Sequence, residues 1–141
     1  MNFTLTTIGT ASAMPVVGRN QSAQVLQVHG RLFLIDCGEG TQQLIRRAHL
    51  SFVKIEAIFL THIHGDHLFG IFGLLSTMAM YNRTADLHIY APRSFAPVLK
   101  FYMSYFSDGL NFKVEHHTVS CREPVLVHES KYVNVSAFPL D

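Results

Sequence analysis

Between Thr61 and His67 the chain reads Thr-His-Ile-His-Gly-Asp-His, which places four potential metal ligands, His62, His64, Asp66 and His67, within six residues. They follow directly on Ile55-Glu56-Ala57-Ile58-Phe59-Leu60, a short run rich in branched and aromatic residues, as a buried strand of an α/β sheet should be. Side chains of an extended chain alternate between faces. His62 and His64 therefore project the same way and can share one ion, while Ile63 turns into the core. Gly65 supplies whatever backbone angles bring Asp66 and His67 round to the same cleft. Imidazole and carboxylate together suit zinc, or manganese and iron where these are more available. Adjacent Asp66 and His67 crowd poorly onto an ion already held by His62 and His64, so a second ion beside the first is the simpler arrangement. Two such ions clamp a phosphate or acyl group and lower the pKa of the water between them, which is the equipment of a hydrolase. The bland alternative is a histidine-rich loop with no metal, and the ordered, strand-anchored spacing argues against it.

The rest of the chain suits one enzyme domain spanning residues 1–141, long enough for a real core. Hydrophobic residues make up 48% and charged ones only 15%, which excludes disorder. A net charge of +1 gives no broad basic field for nucleic acid, so any polyanion must be gripped locally. Cys37 and Cys121 form no CxxC and make a poor disulfide framework, which suits a reducing cytosol. The segment from Met1 to Thr6 alternates like a strand and lacks the layout of a signal peptide. The longest apolar run, Leu68 to Met80, is broken by Gly70, Gly73, Ser76 and Thr77 and falls short of the roughly 20 residues of a membrane span. A soluble cytoplasmic protein with no membrane partner is expected.

In chain order, strands are expected at Phe3 to Ile8, Ala23 to Val28 and Arg31 to Asp36, with His29-Gly30 as the turn of a hairpin. Glycines in Asp36-Cys37-Gly38-Glu39-Gly40 then lead into a helix from about Gln42 to Leu50, capped by Thr41, burying Leu44, Ile45 and Ala48 and leaving Arg46 and Arg47 outside. After the metal strand come a helix to about Tyr81, a strand at Asp86 to Tyr90 and a helix from Ser94 to Phe106, an alternation that implies parallel pairing. Three strand-like runs, Phe112 to Thr118, Pro124 to His128 and Tyr132 to Phe138, close a mixed sheet covered by helices on one face. The second face of such a sheet needs covering too, so the chain has the look of half a sandwich.

The cluster has the form HxHxDH and, with Ile8-Gly9-Thr10, Pro15 to Asn20 and Asp36-Cys37-Gly38-Glu39-Gly40-Thr41-Gln42, resembles the ribonuclease Z family of the metallo-β-lactamase superfamily. The resemblance is close over about the first half of the chain and only in pattern beyond Met80. It implies the N-terminal half of a four-layer αββα sandwich, with His62 and His64 on one Zn2+, Asp66 and His67 on a second, and Asp66 also as proton acceptor for the attacking water. Asp36 is implied as an orienter of a ligand imidazole, or it simply closes the turn at its strand end. Arg19 and Asn20, in the loop expected to judge RNA beside the cut, are implied to touch substrate. Val17 stands where the family usually has Lys. The implied reaction is removal of the 3′ trailer from precursor tRNA, and the exposed apolar face expected of a half-sandwich favours a homodimer. Further family ligands would fall beyond Asp141, so the resemblance also implies a protein about twice as long.

Other residues read more plainly. His116 and His117 face opposite ways on a strand and suit a surface pair better than a replacement ligand set; His29, His49, His88 and His128 suit turn, helix-end or strand-surface positions. Phe95, Phe101, Tyr102, Tyr105 and Phe106 are helix-spaced and suit core or dimer surface better than base stacking. Arg46, Arg47, Arg83 and Arg93 suit a solvated face better than phosphate contacts. Two other functions compete with a tRNA endonuclease: a hydrolase of small phosphodiesters, thioesters or lactones on the same fold, and an inactive metal-binding half-domain that pairs through its sheet.

Overall fold

The computed structural model describes residues 2–140. Met1 and Asp141, at the outer ends of segments read above, lie outside the described residues. Strands β1 (Phe3–Gly9), β2 (Ala23–Val28), β3 (Arg31–Ile35), β4 (Ile55–Phe59), β5 (Leu87–Ala91) and β6 (Val114–Thr118) lie side by side in sequence order in one sheet. The first three are antiparallel and the last four run parallel. The β2–β3 hairpin turns at His29 and Gly30 with φ of 48° and 76°, the double positive-φ turn whose twist matches the flanking strands.

Helices α1 (Thr41–Arg47), α2 (Gly65–Leu68), α3 (Gly70–Met80) and α4 (Phe95–Phe106) complete the layer, and the main core lies between the sheet and this side of the molecule. Leu32, Leu34, Ile58, Leu87, Ile89 and Ala91 meet Ile45, Ile71, Leu74, Phe95 and Leu99 there. The expected mixed sheet with helices on one face is what the chain forms. Alternate residues Val28, Phe33, Ala57 and Tyr90 point to the other face. Of the three runs expected to close this sheet, only β6 joins it. The other two, β7 (Val125–Glu129) and β8 (Asn134–Ala137), pair with each other and lay Val127, Tyr132 and Val133 against that second face. Phe33 and Phe59 are large side chains that the helices cannot reach, and the hairpin shields them, with the His128 ring 5.7 Å and 6.0 Å from theirs. Among the described residues no helix is long and apolar enough to cross a membrane.

Local expectations needed correction where burial overrides pattern. Helix α1 stops at Arg47, so Ala48, read as a buried-face residue, caps the helix and is exposed. The residue before the helix is Gly40, at φ 83°, and Thr41 starts the helix itself, its hydroxyl donating to the Gly38 carbonyl at 2.6 Å. Along α4, Phe95 and Tyr102 enter the core while Phe101, Tyr105 and Phe106 stay exposed. His116 and His117 do face opposite ways but are half-buried rather than a surface pair: the His116 ring packs edge-on against Phe95 and its Nε2–H donates to the Ala91 carbonyl at 3.1 Å.

Arg83 is the largest departure, because it is 2% exposed rather than solvated. Its guanidinium donates to the carbonyls of Ala85 (2.8 Å), Asp86 (2.9 Å), Val53 (3.3 Å) and Phe52 (3.4 Å), tying the turn before β5 to the turn before β4. A planar fork with five donors can serve several carbonyls at once, which is how a cation is tolerated here. Arg83→Ala strands those acceptors and is expected to destabilise the fold by about 2–4 kcal/mol, read as a lower urea midpoint.

Burial, then the neighbouring His88, holds His117 below the usual histidine value of 6.5, and the same two causes in the same order lower His128. Around them stand Tyr90, whose hydroxyl meets His128 Nδ1 at 2.8 Å, and Glu115, whose charge pulls His117 the other way. A histidine depressed in the folded state binds fewer protons there than when unfolded. The two rings therefore stabilise the fold fully above about pH 6.5, and that contribution is lost as pH falls below 6.5 through their folded values. Urea midpoints measured across this range are expected to fall with pH, and less steeply in His128→Gln.

Candidate metal centre

Parallel pairing of β3 with β4 decides where the signature sits. Both strands deliver their carboxyl ends to one sheet edge, where open α/β sheets build their sites. The Asp36 N–H donates to the Phe59 carbonyl and the Cys37 N–H to the His67 carbonyl, at 2.8 and 2.7 Å, which lashes the strand end after β3 to the segment after β4. The strand ends at Phe59, so residues 61–63 bend rather than run extended, yet the His62 and His64 rings still stand 4.5 Å apart, edge to face. His62 also lies 4.1 Å from the His67 ring. Gly65 acts differently from its expected role. It opens α2 without a positive φ, and a Cβ there would fall 2.3 Å from the Phe69 ring, so the position needs space rather than backbone freedom.

Asp36 is the hub beneath these rings. It is 4% exposed and sits at φ 58°, a left-handed conformation that Asp tolerates better than most side chains. Its Oδ1 accepts the Thr61 N–H at 2.8 Å, the Thr61 hydroxyl lies 3.0 Å from both its oxygens, and its Oδ2 is 2.7 Å from His67 Nδ1. A carboxylate only accepts, so His67 Nδ1 carries the proton and Nε2 keeps its lone pair for a metal. The Thr61 hydroxyl has one proton, donated to Asp36, so it accepts from His62 Nδ1–H at 2.9 Å, which frees His62 Nε2 as well. His67 Nε2 lies 3.3 Å from Asp66 Oδ2.

Sequence reasoning missed the backbone contact on Asp66. The loop after β1 crosses the site and its Ala13 N–H donates to Asp66 Oδ2 at 2.8 Å, across 53 residues of sequence. That hydrogen bond, and secondarily the charge of His67, hold the Asp66 carboxyl below the usual carboxylate range against the opposing effect of burial. Gln21 steadies the loop by donating to the Ala13 carbonyl at 3.2 Å. In the same loop the Asn20 carbonyl accepts from Thr10 and Ala11 N–H at 2.9 and 2.8 Å, Arg19 is exposed, and Val17 projects fully into solvent. Cys37, in the turn after β3, is fully buried, and that burial pushes its thiol up to about 12.

The donor set fits a divalent transition metal by chemistry: two imidazoles are locked with Nε2 free and a carboxylate lies beside one of them. The signature is not a closed cage. Among the described residues, the three potential ligands whose atoms all lie within 4.8 Å of one another are His88, Glu115 and His117, elsewhere on the sheet. A cavity of about 660 Å3 also lies away from the signature, lined by His29, Arg31, Lys54 and Glu56 near the opposite ends of the strands. Of the four signature ligands His64 is exposed, while the side chains of Asp66 and His67 are only 11% and 17% exposed.

Residues 3–123 match the family described as anti-Pycsar protein Apyc1. The chain belongs to that family. It is also 40% identical over 138 residues to a ribonuclease Z of Bacteroides thetaiotaomicron, covering 98% of this chain and 44% of that protein. Human tRNase Z, short form, superposes with a TM-score of 0.83 at 30% identity over 95% of this chain and 59% of that one. A diphosphatase of the PhnP family follows at TM-score 0.66 and 26% identity, over 88% of this chain and 53% of its own. The fold is therefore that of the metallo-β-lactamases, and the resemblance to ribonuclease Z holds along nearly the whole chain rather than its first half alone. The chain spans about half the length of the curated relatives it matches.

Proposed function

We propose that this chain carries the metal-binding part of a zinc-dependent endoribonuclease that removes the 3′ trailer from precursor tRNA by phosphodiester hydrolysis. The observation that carries the reading is the hydrogen-bonded set in which Asp36 and Thr61 leave Nε2 of His67 and His62 free beside Asp66. The relatives named ribonuclease Z and tRNase Z support the choice of substrate. In this reading His62 and His64 hold one Zn2+ and Asp66 and His67 the second, and the ions supply Lewis acidity to the scissile phosphate. Asp66 takes the proton of the attacking water, and the Ala13 N–H on its Oδ2 holds the carboxylate in place for that task. Asp36 orients His67. Arg19 and Asn20 meet the RNA where their loop crosses Asp66, with Arg19 free in solvent to reach a phosphate. The reading places the enzyme in the cytoplasm as a homodimer, to which Phe3 and Leu5, 62% and 55% exposed on edge strand β1, could contribute.

A second reading, hydrolysis of small phosphodiesters, draws on the family description, which names no tRNA, and on the likeness to a diphosphatase. One experiment separates the two. The protein at its full natural length is given a precursor tRNA and, separately, bis(p-nitrophenyl) phosphate. Cleavage of the tRNA after the last paired nucleotide region, leaving a 3′-hydroxyl, is expected. Turnover of the chromogenic ester with the tRNA left intact would favour the second reading instead.

A further inference from the structure

Neighbouring strands β5 and β6 place a second group of metal-type ligands on the sheet face opposite the helices. His88 pairs with Glu115 across the parallel ladder, and Tyr90 pairs with His117. Glu115 and His117 are two apart on one strand and so share a face with His88 and Tyr90. His88 is level with Ala57 of β4, five residues before the first signature histidine, so this group stands well down the strands from the HxHxDH edge.

The three contacting atoms form a compact triangle. His88 Nδ1 is 2.8 Å from His117 Nε2 and 3.5 Å from Glu115 Oε2, and His117 Nε2 is 3.8 Å from the same oxygen. Ligand bonds of about 2.0–2.2 Å at tetrahedral angles separate two ligand atoms by about 3.4 Å, which lies in the middle of these three edges. Protons alone satisfy the triangle poorly. Only one N–H can lie between the two nitrogens, and the carboxylate oxygen is beyond hydrogen-bond reach of both. With that one N–H spent between the nitrogens, the Glu115 oxygen has no close protein donor, and a cation or water at the centre of the triangle would answer it.

The scaffold is prepared for such an ion. The His117 ring is stacked on Tyr90 at 4.7 Å and 16°, which fixes its direction. Burial and the neighbouring His88 keep His117 readily neutral, the form that coordinates. The side chains of His88, Glu115 and His117 are 35%, 43% and 40% exposed, open enough for an ion to enter and for water to complete its coordination.

We propose that His88, Glu115 and His117 form a separate site for a divalent transition metal of the zinc, cobalt or nickel class, with three protein ligands and a fourth position left to water. The site clips edge strand β6 to β5 and depends on no residue of the signature. Its existence therefore stands or falls apart from the proposed nuclease.

The test disables the signature and then asks for the second ion. In the 141-residue chain carrying His62→Ala and His64→Ala, Co2+ is titrated and the visible d–d bands of low-coordinate cobalt are followed. One equivalent is expected to bind, and adding either His117→Gln or Glu115→Gln should abolish the bands while circular dichroism shows the sheet intact. The unmutated chain gives a reading independent of how any variant folds: Zn2+ should shift the 15N resonances of His88 Nδ1 and His117 Nε2, and leave His116 unmoved. No cobalt binding in the double variant with no zinc shift of His88 and His117 in the unmutated chain would overturn the site, as would bands that survive both His117→Gln and Glu115→Gln.

Discussion

Asp66→Ala is expected to lower phosphodiester cleavage by the full-length protein by at least about 10³-fold, with little change in thermal midpoint. General base catalysis alone contributes typically 10²–10⁴-fold, and the same substitution removes a proposed ligand of the second ion. The fold should survive because Asp66 is no part of the hydrophobic core, and its one strong tie is a single backbone N–H from Ala13. That tie makes a second readout possible. Asp66→Asn keeps an acceptor for Ala13 while losing the charge, so it should hold the loop but not the activity. Near wild-type turnover in Asp66→Asn would remove Asp66 from the chemistry altogether.

Gly70→Ala should act through structure, and strongly. A Cβ at this position would lie 2.0 Å from the Gly38 carbonyl oxygen and 3.0 Å from that of Cys37. Both are backbone atoms of the turn that carries Asp36, and the Gly70 N–H is itself hydrogen-bonded to the Cys37 carbonyl at 2.9 Å. Neither side can yield without moving Asp36 away from His67. Overpacking of this kind costs about 1–3 kcal/mol and occasionally more, and with backbone on both sides the upper end is expected, together with weakened metal binding. Gly73→Ala, one turn along the same helix, is the control. There the new Cβ meets only the end of the Gln42 side chain, which can swing aside, and alanine favours a helix over glycine by about 1 kcal/mol. Urea denaturation of the two variants should separate them clearly; equal midpoints would mean that the close approach of α3 to the Gly38 turn does not constrain the site.

What could be read from the chain alone was what is local or periodic. The signature lies within one turn of chain after an apolar strand, and the alternation of strands and helices implied the parallel pairing that brings Asp36 under it. Features that need two distant segments were not legible. The Ala13 contact on Asp66 depends on a loop folding back across the site. Arg83 looks like any surface arginine until the turns before β4 and β5 are known to converge on it. The β7–β8 hairpin reads as two more strands for the same sheet, and only the burial of Phe33 and Tyr90 explains why it lies across that sheet instead. His88 and His117 were likewise unremarkable apart, because their meeting rests on β5 and β6 being neighbours in one register.

Metal content decides the central reading most directly. The 141-residue chain and its His62→Ala, His64→Ala double variant, both purified without chelators or a histidine tag, would be compared by elemental analysis. The signature centre predicts that the double variant loses at least one equivalent of zinc, manganese or iron relative to the unmutated chain, whatever either protein holds at His88, Glu115 and His117. Equal metal content in the two proteins would contradict it.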